Sequence, residues 1–112
     1  MAGIKLVDTS SAKMADLGNG AFLGDIDASK DNQLAGGFYI QNKSEKPLSY
    51  TYTYDEMKIV IEGELHITEP SSGTSIVAKA GDVLNISNGA ALEFNSPDKA
   101  RIFYVAKRAR LD

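Results

Sequence analysis

Tyr50-Thr51-Tyr52-Thr53-Tyr54-Asp55-Glu56-Met57-Lys58-Ile59-Val60-Ile61-Glu62-Gly63 is the stretch that decides the fold. Threonine alternates with tyrosine from Tyr50 to Tyr54, the period of a strand with two different faces. Tyr50, Tyr52 and Tyr54 share one parity, and Glu56 and Lys58 continue it if the register carries through the intervening turn. On a pocket-facing strand these residue types carry chemistry. A phenol donates a hydrogen bond to a carbonyl or enolate oxygen. A partly desolvated carboxylate suits general acid–base work. An inward lysine pairs with that carboxylate, holds an anionic substrate, or acts as a base or Schiff-base nucleophile. Each also has a structural use: strand aromatics with a polar tip at the surface, a hydrogen-bonded carboxylate, a lysine reaching back to solvent.

Outward from this stretch, the chain reads as short strands punctuated by turns. Candidate strands cover 22–26, 35–40, 48–54, 57–62, 64–68, 74–78, 83–86, 90–94 and 101–105. Ser71-Ser72-Gly73, Ala80-Gly81-Asp82 and Asn88-Gly89 supply turns. Regular short strands of this kind predict an all-β sandwich or jelly roll. Residues 11–18 allow one or two helical turns, capped by Ser10 or Ser11 and stopped by Gly18.

The 112 residues predict one domain, 1–112. No apolar run approaches the ~20 residues of a membrane helix, and no signal-peptide core opens the chain, so a cytoplasmic protein is expected. Cysteine is absent, which removes disulfides and thiolate chemistry. His66 is the only histidine, which removes His–His metal pairs. The net charge of −3 offers no basic face for nucleic acid. The one basic cluster, Lys107-Arg108-Ala109-Arg110, is expected to be a solvated tail. Asp25 and Asp27 are expected at a solvated strand edge. His66 is a candidate general base. Phe38, Leu92, Phe94 and Tyr104, with Tyr54, are candidate ligand contacts.

These marks resemble a small cupin over residues 34–106. Metal-binding cupins carry His-x-His, then a glutamate, then a glycine; Glu56 and Gly63 keep that spacing, while Tyr50 and Tyr52 stand at the histidine positions. In the second cupin motif Gly81 and Gly89 fit, but Ser87, Leu92 and Ser96 occupy the proline, histidine and asparagine positions. The run 51–56 and the ending Ala100-Arg101-Ile102-Phe103-Tyr104-Val105 are most similar to the EutQ group of ethanolamine-utilisation proteins. The resemblance implies a double-stranded β-helix (a jelly-roll barrel) with a short N-terminal arm or helical turn. It places Glu56 in the barrel and an apolar Leu92 where the last metal ligand would be. No metal and no cofactor are expected.

The reading that follows is a metal-independent enzyme acting on a small molecule, performing isomerisation, dehydration, cyclisation or decarboxylation. Glu56, Tyr52, Tyr50, Lys58 and His66 are its candidate catalytic residues. The alternatives are a non-catalytic ligand-binding cupin and, from the resemblance, an acetate kinase-like role, although no Walker-type phosphate loop is present. The expected partners are a small-molecule ligand and a second copy of the chain in a homodimer, with neither nucleic acid nor membrane.

Overall fold

The computed structural model describes residues 3–111. Nine strands follow one another: β1 (Ala15–Gly18), β2 (Ala21–Ala28), β3 (Ala35–Asn42), β4 (Leu48–Thr51), β5 (Glu56–Glu69), β6 (Thr74–Lys79), β7 (Val83–Ile86), β8 (Ala91–Asn95) and β9 (Lys99–Ala106). All pairings are antiparallel. The order β1-β2-β3-β9-β5-β8-β4, with β6 and β7 also on β5, makes the cupin barrel expected from the sequence. Among the described residues, no helix is long and apolar enough to cross a membrane.

The hinge of the barrel is β5. Its first half pairs with β9 and β7, and its second half with β6 and β8. A bulge between Val60 and Glu62 shifts the register there, and bulges bend a strand and increase its twist. Gly63 follows at φ 79°, where an added Cβ would strike the Lys99 carbonyl. Close approach of β9 therefore requires glycine at this position. The two sequence segments 57–62 and 64–68 are thus one bent strand.

The bulge also switches parity. Before it Glu56, Lys58 and Val60 face inward; after it Leu65 and Ile67 do. The first half inverts the usual pattern, because Met57, Ile59 and Ile61 stand half-exposed on the outer face.

The helical expectation for 11–18 is corrected. A single 3-10 turn, Thr9–Ser11, is capped by Asp8, whose carboxylate accepts the Ser10 amide at 3.0 Å. Residues 15–18 instead form β1, because Gly18, Asn19 and Gly20 all take positive φ and fold the chain back onto β2. A waiting strand edge outweighs a weak local helix preference. The core joins inward residues of both sheets, with Phe94, Leu65, Ile102 and Val60 among the fully buried side chains.

Candidate functional site

One cross-strand row carries much of the site. Asp25, Gly37, Tyr104, Lys58 and Leu84 are register neighbours across β2, β3, β9, β5 and β7. In the adjoining rows Glu56 lies beside Ala106, and Leu23 and Tyr39 beside Ile102 and Val60.

Lys58 and Glu56 form a buried ion pair, Nζ to Oε2 3.1 Å, with side chains 3% and 4% exposed. Lys58 Nζ also donates to the Tyr52 hydroxyl at 3.2 Å. Three rings surround the ammonium, with centroids 4.8 Å (Tyr39), 4.9 Å (Phe94) and 5.7 Å (Tyr52) away. Those distances allow cation–π attraction, which offsets part of the desolvation cost. Burial nevertheless pulls Lys58 below the ordinary lysine value, and the Glu56 charge opposes that pull. Burial pushes the Tyr52 phenol up, with the Glu56 charge adding to it, and burial does the same to Tyr39. Both phenols stay protonated.

Local structure fixes each ring. Tyr39 donates to Gln41 Oε1 at 2.5 Å, and Gln41 in turn donates to the Asn19 carbonyl at 2.9 Å. The tight turn at 18–20 thereby holds a ring against Lys58. Tyr52 exchanges backbone hydrogen bonds with Ala90 and Gly89, both 2.8 Å. Its ring meets Tyr50 and Tyr54 edge-on at 4.7 and 5.6 Å. The Tyr50 and Tyr54 hydroxyls lie 2.8 Å apart.

Arg108 closes the site, and it corrects the expectation of a solvated tail. The Lys107 amide donates to the Asp55 carbonyl at 2.9 Å, which turns the chain back toward the barrel. The Arg108 guanidinium then grips Asp25 through two bonds, 2.8 Å to Oδ2 and 3.0 Å to Oδ1. Asp25 also accepts the Tyr104 hydroxyl and, at 2.9 Å, the Leu111 amide. Asp25 is therefore buried, contrary to the solvated edge expected of it, while Asp27 pairs with Lys5 at 3.1 Å nearer the surface. Gly37 makes this possible: a Cβ there would collide with the Tyr104 hydroxyl and the Gly24 carbonyl. Burial works against the Asp25 carboxylate, but bonds from Arg108, Tyr104 and Leu111 outweigh it and hold the group below 3.8. Burial also works against the Arg108 charge, and Asp25 and Tyr54 more than offset it.

Lys58, Glu56, Tyr39, Tyr52 and Phe94 line a cavity of about 40 Å³, with Tyr50, Tyr54 and Arg108 also on its wall. That space takes roughly three or four non-hydrogen atoms. Of the expected residues, Glu56, Tyr52, Tyr50, Lys58, Tyr54 and Phe94 come together here.

Four others do not. His66 lies beyond the bulge, where even positions face outward; its Nε2 meets Glu64 at 2.6 Å and its side chain is 42% exposed. Phe38 is on the outer face of β3, packed edge-on against Phe103 at 5.5 Å with Arg101 over its ring at 4.2 Å. Tyr104 faces inward but spends its hydroxyl on Asp25. Leu92 joins the core and lines a separate cleft of about 220 Å³ with Ile67 and Ile86. Sequence reasoning missed Tyr39 and Arg108, and with them the apolar lining of Leu17, Leu23 and Leu48.

Among the described residues, no group of three or more His, Cys, Asp or Glu side chains is placed to hold a metal. The metal positions of the cupin frame do not fit a transition ion. They offer two phenols, an aliphatic side chain and one carboxylate already paired with an ammonium.

Comparison with known proteins agrees with this fold. The family model for the ethanolamine utilisation protein EutQ matches residues 1–111. The acetate kinase EutQ of Salmonella typhimurium is 37% identical over 110 residues, covering 93% of this chain and 46% of the relative. The chain thus spans about half the length of the curated relatives it matches. A crystal structure of a putative ethanolamine utilization protein Q from Salmonella typhimurium superposes with TM-score 0.80 at 34% identity, covering 96% of this chain and 89% of that one. An RmlC-like cupin from Shewanella frigidimarina shares the fold, with TM-score 0.74 at 16% identity over 98% of this chain and 94% of its own. The chain belongs to the EutQ family of ethanolamine utilisation proteins.

Proposed function

We propose that the barrel cavity holds a carboxylate of two carbons and serves the acetate chemistry for which the curated relatives are named. The observation that carries this reading is the cavity itself. It has room for about four non-hydrogen atoms, and two cations stand on its wall: Lys58, paired with Glu56, and Arg108, paired with Asp25 outside the cavity lining. Among the described residues, Lys58 uses two of its three donors on Glu56 and Tyr52, which leaves one for a ligand oxygen. Among the described residues, the Nε of Arg108 is buried without a hydrogen-bond partner. The apolar faces of Phe94 and Tyr39 suit a short alkyl group.

In an acetate kinase reaction, an acetate oxygen attacks the terminal phosphorus of ATP. A new O–P bond forms, the bond to the bridging oxygen breaks, and ADP leaves with its electrons. Catalysis of such transfers is mostly positioning and charge stabilisation. Lys58 and Arg108 would hold acetate and offset the charge. The nucleotide would be held by groups other than a Walker-type loop, which the sequence lacks.

The test is acetyl phosphate formation from acetate and ATP, trapped as the hydroxamate. Lys58→Met is expected to lower kcat/KM for acetate by ~100-fold or more, with the fold retained by circular dichroism. Wild-type values for a folded Lys58→Met protein would contradict the reading.

The contacts of 3.1 and 3.2 Å that join Glu56, Lys58 and Tyr52 favour a second reading, an acid–base enzyme of the isomerase or lyase type. Such an enzyme would use the same cavity without nucleotide.

A further inference from the structure

We propose that Lys58 is an imine-forming amine, which condenses with an unbranched aldehyde of two or three carbons while Glu56 moves the protons. The inference uses the same cavity as the small-acid reading but does not depend on it.

Geometry carries the argument. A lysine nucleophile needs a carbonyl beside it, a neighbouring group to take and return protons, and exclusion of bulk water. Lys58 Nζ lies on the cavity wall, 3.1 Å from a carboxylate and 3.2 Å from a phenol. Its side chain is only 3% exposed, so water competes poorly. Burial also favours its neutral form over the ammonium. The cavity takes three or four non-hydrogen atoms, roughly the count in such an aldehyde. Tyr52, whose hydroxyl stays protonated, is a donor for the carbonyl oxygen.

The steps balance. Lys58 passes one ammonium proton to Glu56. The amine nitrogen attacks the carbonyl carbon, a C–N bond forms, and the oxygen takes the proton from Glu56 to give a carbinolamine. Glu56 then accepts the proton that the attacking nitrogen carries in excess and returns it to the hydroxyl. The C–O bond breaks, water leaves, and the nitrogen lone pair closes the C=N bond. The net change is aldehyde plus ammonium giving protonated imine plus water. No oxidant or reductant is needed.

The experiment treats wild-type protein with acetaldehyde and sodium cyanoborohydride, which reduces an imine to a stable N-ethyl amine. Peptide mapping by mass spectrometry then reads the modified lysines. Lys58 is expected to be ethylated at least ~10-fold faster than the exposed Lys46 and Lys107. The preference disappears in urea that unfolds the chain, and the branched pivalaldehyde labels only exposed lysines. Labelling of Lys58 no faster than Lys46 in the folded protein would overturn the proposal, as would a preference that persists in urea. Saturating acetate is expected to protect Lys58. Fast labelling that acetate does not slow would leave the imine chemistry standing and remove the small-acid reading instead.

Discussion

Two buried ion pairs share the interior of this barrel, and they differ in how fully their polar atoms are used. Asp25 accepts four hydrogen bonds: two from Arg108, one from Tyr104 and one from the Leu111 amide. An ionised carboxylate has about four such sites, so this one is saturated. Lys58, next to Tyr104 in register, has two oxygen partners among the described residues and is otherwise ringed by aromatic faces. A carboxylate whose sites are all filled inside the protein, as at Asp25, is a fastener. A charge with a donor to spare, beside an open cavity, is equipped to meet a ligand.

The contrast is broken or sharpened by substitution. The largest effect is expected at the saturated pair. Asp25→Ala leaves the largely buried Arg108 guanidinium without its carboxylate, and should cost ~3–5 kcal/mol in chemical denaturation. A loss below about 1 kcal/mol would mean that the tail is not fastened as described. The same pair has a pH signature. The folded state holds the Asp25 carboxyl below 3.8, so its contribution is complete above that value and is lost as pH falls through the lower, folded-state pKa. The stability gap between wild type and Asp25→Asn should therefore be constant above pH 3.8 and narrow below it.

The unsaturated pair should respond in the opposite way. Replacing both members, Glu56→Met with Lys58→Met, removes two buried charges and leaves apolar volume among Tyr39, Tyr52 and Phe94. Such exchanges are often neutral or stabilising by ~1–4 kcal/mol. Unchanged or raised stability, with acetate turnover lost, would mark the pair as kept for function. A large loss of stability would make it a second fastener and erase the distinction.

The sequence made the barrel legible because its turns are explicit. Ala80-Gly81-Asp82 and Asn88-Gly89 bound β7, and the alternation at 50–54 set which tyrosines reach the cavity. Glu56 and Lys58 were legible through parity, although hydrophobicity alone would have turned Met57, Ile59 and Ile61 inward. The rest depended on register and distant pairing. His66 lost its inward parity to a bulge that leaves no mark other than Gly63. Phe38 and Tyr39 are adjacent aromatics on one strand, and only the pairing of β3 with β9 decides which faces in. Arg108 and Asp25 are 83 residues apart, too far for any local pattern to join a basic tail to an acidic strand. The Gly36-Gly37 pair was the available clue, since the missing side chain at Gly37 is what lets Tyr104 reach across β3.

The central claim is that the Lys58 cavity receives a small acid. Its most direct test is titration of acetate into protein carrying ¹⁵N-labelled lysine and ¹³C-labelled tyrosine and phenylalanine rings, with the side-chain resonances of Lys58, Tyr52 and Phe94 observed by NMR. The account predicts saturable shifts confined to those residues, with an affinity near ~1 mM, reasonable for a ligand of so few atoms, and their disappearance in Lys58→Met. Shifts that grow linearly with salt at exposed lysines, while Lys58 stays fixed, would contradict it.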